Sequence, residues 1–330
     1  MTDRPPIEVF RLDIADDAPV PAALRGGAVA IGNFDGVHRG HQALIRTAAG
    51  TGAPPIAATF EPHPRAVLQP GASHFRLNQP ATRNRLLAIA GAEGIVEIAF
   101  HRDLAALSAE AFARTVLAER LGARFVVVGE GFRFGNRRAG DTDLLAALGR
   151  ELGFEVRVLP PVTDETGEII SSGRARDALR HGMIDLANAV LGYRWFVQGT
   201  VVAGDRRGRE LGYPTANIAL PDPIELRHGI YAVTARWDGG TPLPAIASYG
   251  VRPVFEGSEP LLEVHLFDRD DDLYGRELTI AFLAWLRPEE NFESVDALIR
   301  QMDADSAAAR AIHAETSPGS RIDVALGNGA

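Results

Sequence analysis

The chain has 330 residues, of which 46% are apolar and 23% charged, and its net charge is −9. That is enough apolar material for two packed domains. Interspersed charge of this sign excludes a protein that holds nucleic acid through a broad basic surface, but not one that binds a small anion in a local positive field.

There is no cysteine, which removes disulfides, thiolate metal sites and a cysteine nucleophile. The first residues, MTDRPPIEVFRLDIADD, are acidic and lack the apolar stretch of a signal peptide. No window approaches the roughly 18 uninterrupted apolar residues of a membrane span. The expected setting is cytoplasmic, with small-molecule partners and neither a nucleic-acid nor a membrane partner. Nothing in the sequence bears on oligomeric state.

Up to about residue 160, strand-like runs (GAVAIGNF, PIAATF, GIVEIAF, RFVVVGE, FEVRVLP) alternate with helical ones (HQALIRTAAG, TRNRLLAIAGAEG, SAEAFARTVLAERLG, DTDLLAALGRELG). The strands are short and β-rich without clean alternation, as strands covered on both faces are. Strands alternating with helices of this length predict βαβ units and a doubly wound parallel α/β sheet. Ligands of such sheets bind at the carboxyl ends of the strands. Three suggestive stretches fall there: GNFDG, TFEPHP and GEGFRFG.

Ser171 to Gly192 reads as helical. Five strand-like runs follow without helices between them: WFVQGTVVAG, GIYAVTARW, LPAIASYG, PLLEVHLFD and RELTIAFLAWL. Asp238-Gly239 between two of them is a hairpin signal. This half is expected to be an antiparallel sheet or barrel, closed by a C-terminal helix over SVDALIRQMDADSAAARAIHAE. The expected domains are 1–187 and 188–315, and the aperiodic end, 316–330, is expected to be a flexible tail.

The stretch GNFDGVHRGH carries the densest chemistry. A strand end feeding a helix start offers unpaired N–H groups and a positive dipole end to a phosphate. Glycines allow close backbone approach. His38 and His41, one helical turn apart, can both reach a polyphosphate and stabilise charge in transfer. Taken singly, each histidine would more often be an ordinary polar residue.

This stretch resembles the signature of the HxGH nucleotidylyltransferases. With TFEPHP, GEGFRFG and ISSGRARDAL following in order, the chain resembles the bacterial bifunctional riboflavin kinase/FAD synthetase family over nearly its whole length. The resemblance implies a Rossmann-like adenylyltransferase domain. In it, His38, His41 and Arg176 would act on ATP phosphates, and Gly32, Asn33, Phe34, Gly40, Ser171 and Ser172 would line the phosphate site. The chain departs from the family pattern at Gly173, where Thr is usual, and at Gly131, where Asp or Asn is usual. Those departures raise the rival of a kinase with an inactive N-terminal half; intact His38, Gly40 and His41 weigh against it.

GDRRGRELGYPTANI, residues 204–218, is a glycine- and arginine-rich loop that is not a Walker A loop. Its glycines can fold N–H groups around phosphate, and a Thr hydroxyl and an Asn carbonyl are hard oxygen ligands suited to Mg²⁺. On composition alone it reads as a basic hairpin and a proline turn. It resembles the GRxLGFPTAN motif of riboflavin kinases, with Tyr213 for the usual Phe. That likeness implies Gly208, Arg209, Pro214, Thr215 and Asn217 at an ATP site, with Thr215 and Asn217 as Mg²⁺ ligands.

In LLEVHLFDRDDDLYG, alternation puts Leu262, Val264 and Leu266 on one face and Glu263, His265 and Phe267 on the other. The resemblance implies Glu263 as the base for the ribityl 5′-hydroxyl. The DRDDD run is read as a solvated turn rather than a metal site, because it lacks EF-hand spacing. The resemblance as a whole implies ATP-dependent phosphorylation of riboflavin to FMN and adenylylation of FMN to FAD, with Mg²⁺ as cofactor.

Overall fold

The computed structural model describes residues 7–71, 75–204, 213–251, 260–269, 271–317 and 319–329. The chain divides into two compact units, 1–171 and 172–330.

The first unit is a six-stranded, wholly parallel sheet. Its elements are β1 (Glu8–Leu12), β2 (Ala28–Ile31), α1 (Arg39–Ala49), β3 (Pro55–Glu61), α2 (Pro64–Leu68), α3 (Pro80–Ala90) and β4 (Gly94–Ala99). They continue as α4 (Arg102–Ala106), α5 (Ala109–Phe112, running on as a wider helix over Ala113–Arg120), β5 (Phe125–Gly129), α6 (Thr142–Leu152) and β6 (Glu155–Leu159). The strand order is β1-β4-β3-β2-β5-β6. From β4 onward this is the doubly wound order, with its switch point at β2, between β3 and β5. All four residues of β2 are buried, which explains its unbroken apolar reading. Helix α1 turns Gln42, Leu44, Ile45 and Ala48 inward, and α6 is capped by Asp141, whose carboxylate accepts the Leu144 N–H at 2.9 Å. The edge strand β1 has no counterpart among the sequence-predicted strands. It pairs with β4 through its backbone, and only Phe10 and Leu12 turn inward while Glu8, Val9 and Arg11 face solvent, an alternation too short to stand out in the sequence.

The second unit opens with α7 (Ser172–Arg180) and α8 (Ile184–Leu191), which pack on each other. A closed antiparallel barrel follows: β7 (Phe196–Val202), β8 (Ala216–Ala219), β9 (Gly229–Trp237), β10 (Leu243–Gly250), β11 (Leu261–Leu266) and β12 (Glu277–Arg287), in the order β10-β11-β8-β7-β12-β9. Asp238 and Gly239 take φ of 51° and 70°, the left-handed pair that a tight hairpin between β9 and β10 requires. Register shifts in β12 at Phe282/Ala284 and Trp285/Arg287 bend that strand around the barrel. Trp195, Tyr231 and Phe282 fill the interior. Helix α9 (Val295–Glu315) packs Ala309 and Ile312 on the outer face of the barrel against Ala232, Phe267 and Leu283. Phe267 is therefore buried, where strand alternation would have left it exposed beside His265.

The end of the chain, whose sequence shows no periodicity, carries a further helix. Arg321–Leu326 forms a helix, α10, that opens on a reciprocal cap between Ser320 and Asp323. Asp323 also accepts the Arg194 backbone N–H at 2.9 Å, and the Arg194 guanidinium reaches the carbonyls of Asn328, at 3.1 Å, and Ser317. Arg236 on β9 bonds the Asn328 side chain at 2.9 Å and the Leu326 carbonyl at 2.8 Å. Polar clamps hold this segment, which is why apolar periodicity did not reveal it.

Candidate functional site

At the switch point, β2 runs into Gly32-Asn33-Phe34-Asp35-Gly36-Val37 and then α1. Phe34, Gly36 and Val37 all take positive φ, at 52°, 81° and 36°. Two of these are non-glycine residues in a region that costs energy, a kind of strain concentrated at ligand sites. Neighbouring groups hold the turn. Gly32 N–H donates to the Ala58 carbonyl at 3.1 Å, and Thr59 donates to the Asn33 carbonyl at 3.2 Å. Gln42 donates to the Val37 carbonyl at 2.9 Å, and Asp35 accepts the Leu77 N–H at 2.8 Å. Asp35 and Gln42 are not marked by the sequence analysis; Asp35, a short polar residue inside a strained turn, carries a signal, and Gln42 is a polar residue on the inward face of α1. Glu61 of TFEPHP pairs with Arg76 at 2.8 Å and with Arg83 at 2.9 Å, fixing the segment that supplies Leu77. Burial would raise the Glu61 carboxyl, but bonds from Arg76 and Arg83 outweigh it and hold the group below its ordinary value.

The two histidines meet. Their rings stack at 3.6 Å, and Phe34 supports His41 edge-on at 5.2 Å. His38 caps α1, its Nδ1 accepting the His41 N–H at 3.3 Å. Its Nε2 is then the protonated nitrogen and a donor. Burial, and then the nearby His38, hold the His41 imidazole well below its ordinary range, so it is neutral at pH 7. Its buried Nδ1 has no hydrogen-bond partner among the described residues, an orphan of the kind a ligand satisfies. The Phe34 side chain is fully buried, which leaves only its backbone to face a ligand, whereas Asn33 is exposed. Gly40 brings a further motif close: a Cβ there would lie 3.8 Å from the Ile170 carbonyl, the residue before Ser171-Ser172. Ser171 directly precedes α7, Ser172 opens it, and Arg176 is buried on it; Ser172 and Arg176 belong to the second unit. A Cβ on Gly131 would meet nothing within 4 Å, so the missing family carboxylate reflects no crowding.

In the second unit, β11 and β8 pair so that Glu263 lies directly opposite Asn217, and β10 places Ser248 opposite Glu263 on its other side. Directly paired residues share a face of the sheet. The expected base and an expected metal ligand therefore stand side by side. His265 steadies the neighbouring turn by bonding the Pro214 carbonyl at 2.8 Å. A cavity of about 230 Å³ beside this pair has Gly204, Pro214, Thr215 and Asn217 in one stretch of its wall, and β11 enters its lining through Val264 and Leu266, on the strand face turned away from Glu263. A second stretch of its wall comes from the DRDDD turn and the residues after it, through Arg269, Asp271, Asp272 and Tyr274. That turn is thus a cavity wall, a part its sequence did not suggest. A Cβ on Gly204 would collide with the Asn217 amide, so glycine lets the chain pass close to that group. Strand β8 gives no strand signal in the sequence, because four residues after Pro-Thr are too few to show a period. Gly208 and Arg209 lie outside the described residues.

Comparison with known proteins matches both halves. A family model for FAD synthetase covers residues 20–174, and one for riboflavin kinase covers residues 191–313. A bifunctional riboflavin kinase/FMN adenylyltransferase of Escherichia coli K12 is 38% identical over 301 residues, spanning 90% of this chain and 96% of its own. Its Pseudomonas fluorescens counterpart is 40% identical over 301 residues, spanning 89% and 95%. A crystal structure described as a macrolide-efflux protein from Streptococcus pneumoniae superposes with a TM-score of 0.82 at 32% identity, covering 92% of this chain and 99% of that one. The efflux description is that structure's own; among the described residues here, no helix is long and apolar enough to cross a membrane.

Proposed function

The chain belongs to the family of bifunctional riboflavin kinase/FMN adenylyltransferases, and from that premise we propose how its residues divide the work. It phosphorylates riboflavin to FMN and adenylylates FMN to FAD. We assign the adenylyl step to 1–187 and the kinase step to 188–315, keeping α7 with the first activity although it packs on α8.

In the kinase half, Glu263 takes the proton of the ribityl 5′-hydroxyl as that oxygen attacks the γ-phosphorus of ATP and ADP departs. Thr215 and Asn217, both hard oxygen donors, would hold Mg²⁺, which neutralises phosphate charge when bound. Pro214 shapes the same wall, and Gly208 and Arg209 belong to the same ATP motif. In the adenylyl half, a phosphate oxygen of FMN attacks the α-phosphorus of ATP and pyrophosphate leaves. His38, His41 and Arg176 stabilise the charge that develops. Gly32, Asn33, Phe34 and Gly40 shape the turn, and Ser171 and Ser172 offer hydroxyls and N–H groups at a helix start. These small-molecule reactions are placed in the cytoplasm.

The observation that carries the kinase assignment is the direct pairing of Glu263 with Asn217. Glu263→Gln keeps the size of the side chain and removes its basicity. It is expected to slow FMN formation from riboflavin by roughly 10²–10⁴-fold, while FAD formation from supplied FMN continues at the wild-type rate. Chromatographic separation of the flavins reads both. Equal loss of the two steps would refute separate sites.

A further inference from the structure

Helix α9 reaches both walls of the kinase cavity. Tyr213, which precedes Pro214, donates its hydroxyl to Asp303 on α9. Its ring packs 5.2 Å from that of His265, the residue that holds the Pro214 carbonyl. On the other wall, Arg310 of α9 grips both carboxylate oxygens of Asp268, at 2.8 and 2.9 Å, and lies 4.2 Å over the Phe267 ring. Asp268 precedes Arg269 in the cavity wall and takes φ of 58°, a left-handed conformation that a non-glycine residue keeps only when its surroundings enforce it.

Asp303 and Arg310 are seven residues apart, two helical turns, and so lie on one face of α9. The helix is itself fixed to the barrel. Arg287 of β12 pairs with Asp305 at 2.7 Å, and Ala309 and Ile312 pack on the barrel's outer face. The two grips therefore extend from a rigid bar. Burial, and then the Asp303 carboxylate, raise the Tyr213 hydroxyl above its ordinary value, so it stays a donor at neutral pH. The family's usual Phe at this position would keep the ring contact and lack the hydroxyl, which makes this clamp a property of this chain.

We propose that α9 is a brace that sets the separation of the two walls of the kinase nucleotide cavity, through the clamps Tyr213–Asp303 and Asp268–Arg310, and so governs how tightly ATP is held. The proposal rests on the assignment of that cavity to ATP. All four are positioning residues: each acts through the wall it anchors. Groups on both walls must meet one bound nucleotide at once, so loosening either wall costs binding, while Glu263 and the attacking hydroxyl keep their places.

The test uses the full chain, with riboflavin saturating and ATP varied. Tyr213→Phe and Arg310→Met are each expected to raise the kinase KM for ATP roughly three- to tenfold, the scale of one exposed hydrogen bond or ion pair. Their kcat should stay within about twofold of wild type. Asp303→Asn, whose amide oxygen still accepts from Tyr213, should keep the wild-type KM. The adenylyl step in the same preparations reports the amount of intact chain, and the unchanged kinase kcat reports that the barrel is folded. An unchanged KM in both variants overturns the brace. So does a fall in kcat at constant KM, which is what loss of folded barrel alone would give. Thr215→Ala tests the assignment beneath it. If that variant keeps wild-type kinase kinetics, the cavity is not the ATP site and the kinase reading fails with it. If Thr215→Ala is impaired while the clamp variants are not, the brace alone falls.

Discussion

Gly40 shows how much of the first site depends on the absence of one carbon. A Cβ there would stand 3.1 Å from both Cε1 and Nδ1 of His38, tighter than side chains normally tolerate. The His38 ring is hemmed by its stack on His41 and its cap on α1, so it can yield only by leaving that place. Gly40→Ala is therefore expected to cut FAD formation from FMN by about 10–100-fold, the scale of a small misplacement of a catalytic group, with FMN formation from riboflavin unchanged. Parallel initial rates of the two steps check it; an unimpaired adenylyl step would mean the histidine stack is not needed. His38, His41 and Gly40 were legible in the sequence because the motif names them. The support beneath them was not. Asp35 works by accepting a backbone N–H from 42 positions away, and Phe34 by lying under an imidazole; neither relation leaves a spacing to read.

Among the elements, the sequence revealed those whose side chains report burial. The four-residue apolar β2, the amphipathic α1 and the hairpin at Asp238-Gly239 all announce themselves. β1 and β8 do not, since one is an edge strand with only two inward side chains and the other is short and follows a proline turn. α10 is hidden for a different reason, because polar groups dock it. The Asp323 carboxylate, almost fully buried, accepts from the Arg194 backbone, the Ser320 backbone and the Ser320 hydroxyl. Asp323→Ala leaves these donors unpaired, at a cost of about 2–3 kcal/mol. The unfolding midpoint of the barrel unit should fall by roughly 5–10 °C. Calorimetry of the full chain with bound flavin reads that transition. A midpoint unchanged within a degree would show that the C-terminal segment contributes nothing to the barrel.

For the whole molecule, the division into two compact units with one family match each fits two chemistries linked by FMN, the product of one and the substrate of the other. Phosphoryl transfer to the ribityl hydroxyl creates no bond between FMN and the protein, so FMN is expected to leave the kinase site as a free anion. A mixture of Glu263→Gln with the double variant His38→Ala/His41→Ala should therefore convert riboflavin to FAD, each chain supplying the step the other lacks. FAD should appear only after FMN has accumulated. Diluting the mixture should lengthen the lag in inverse proportion to protein concentration, because a released intermediate must reach a level set by the second site's KM. The wild-type chain should show the same dilution behaviour. If the wild-type lag ignores dilution while the mixture's lag lengthens, FMN passes between sites within one chain, and the two units work as a coupled pair rather than as two enzymes on one polypeptide.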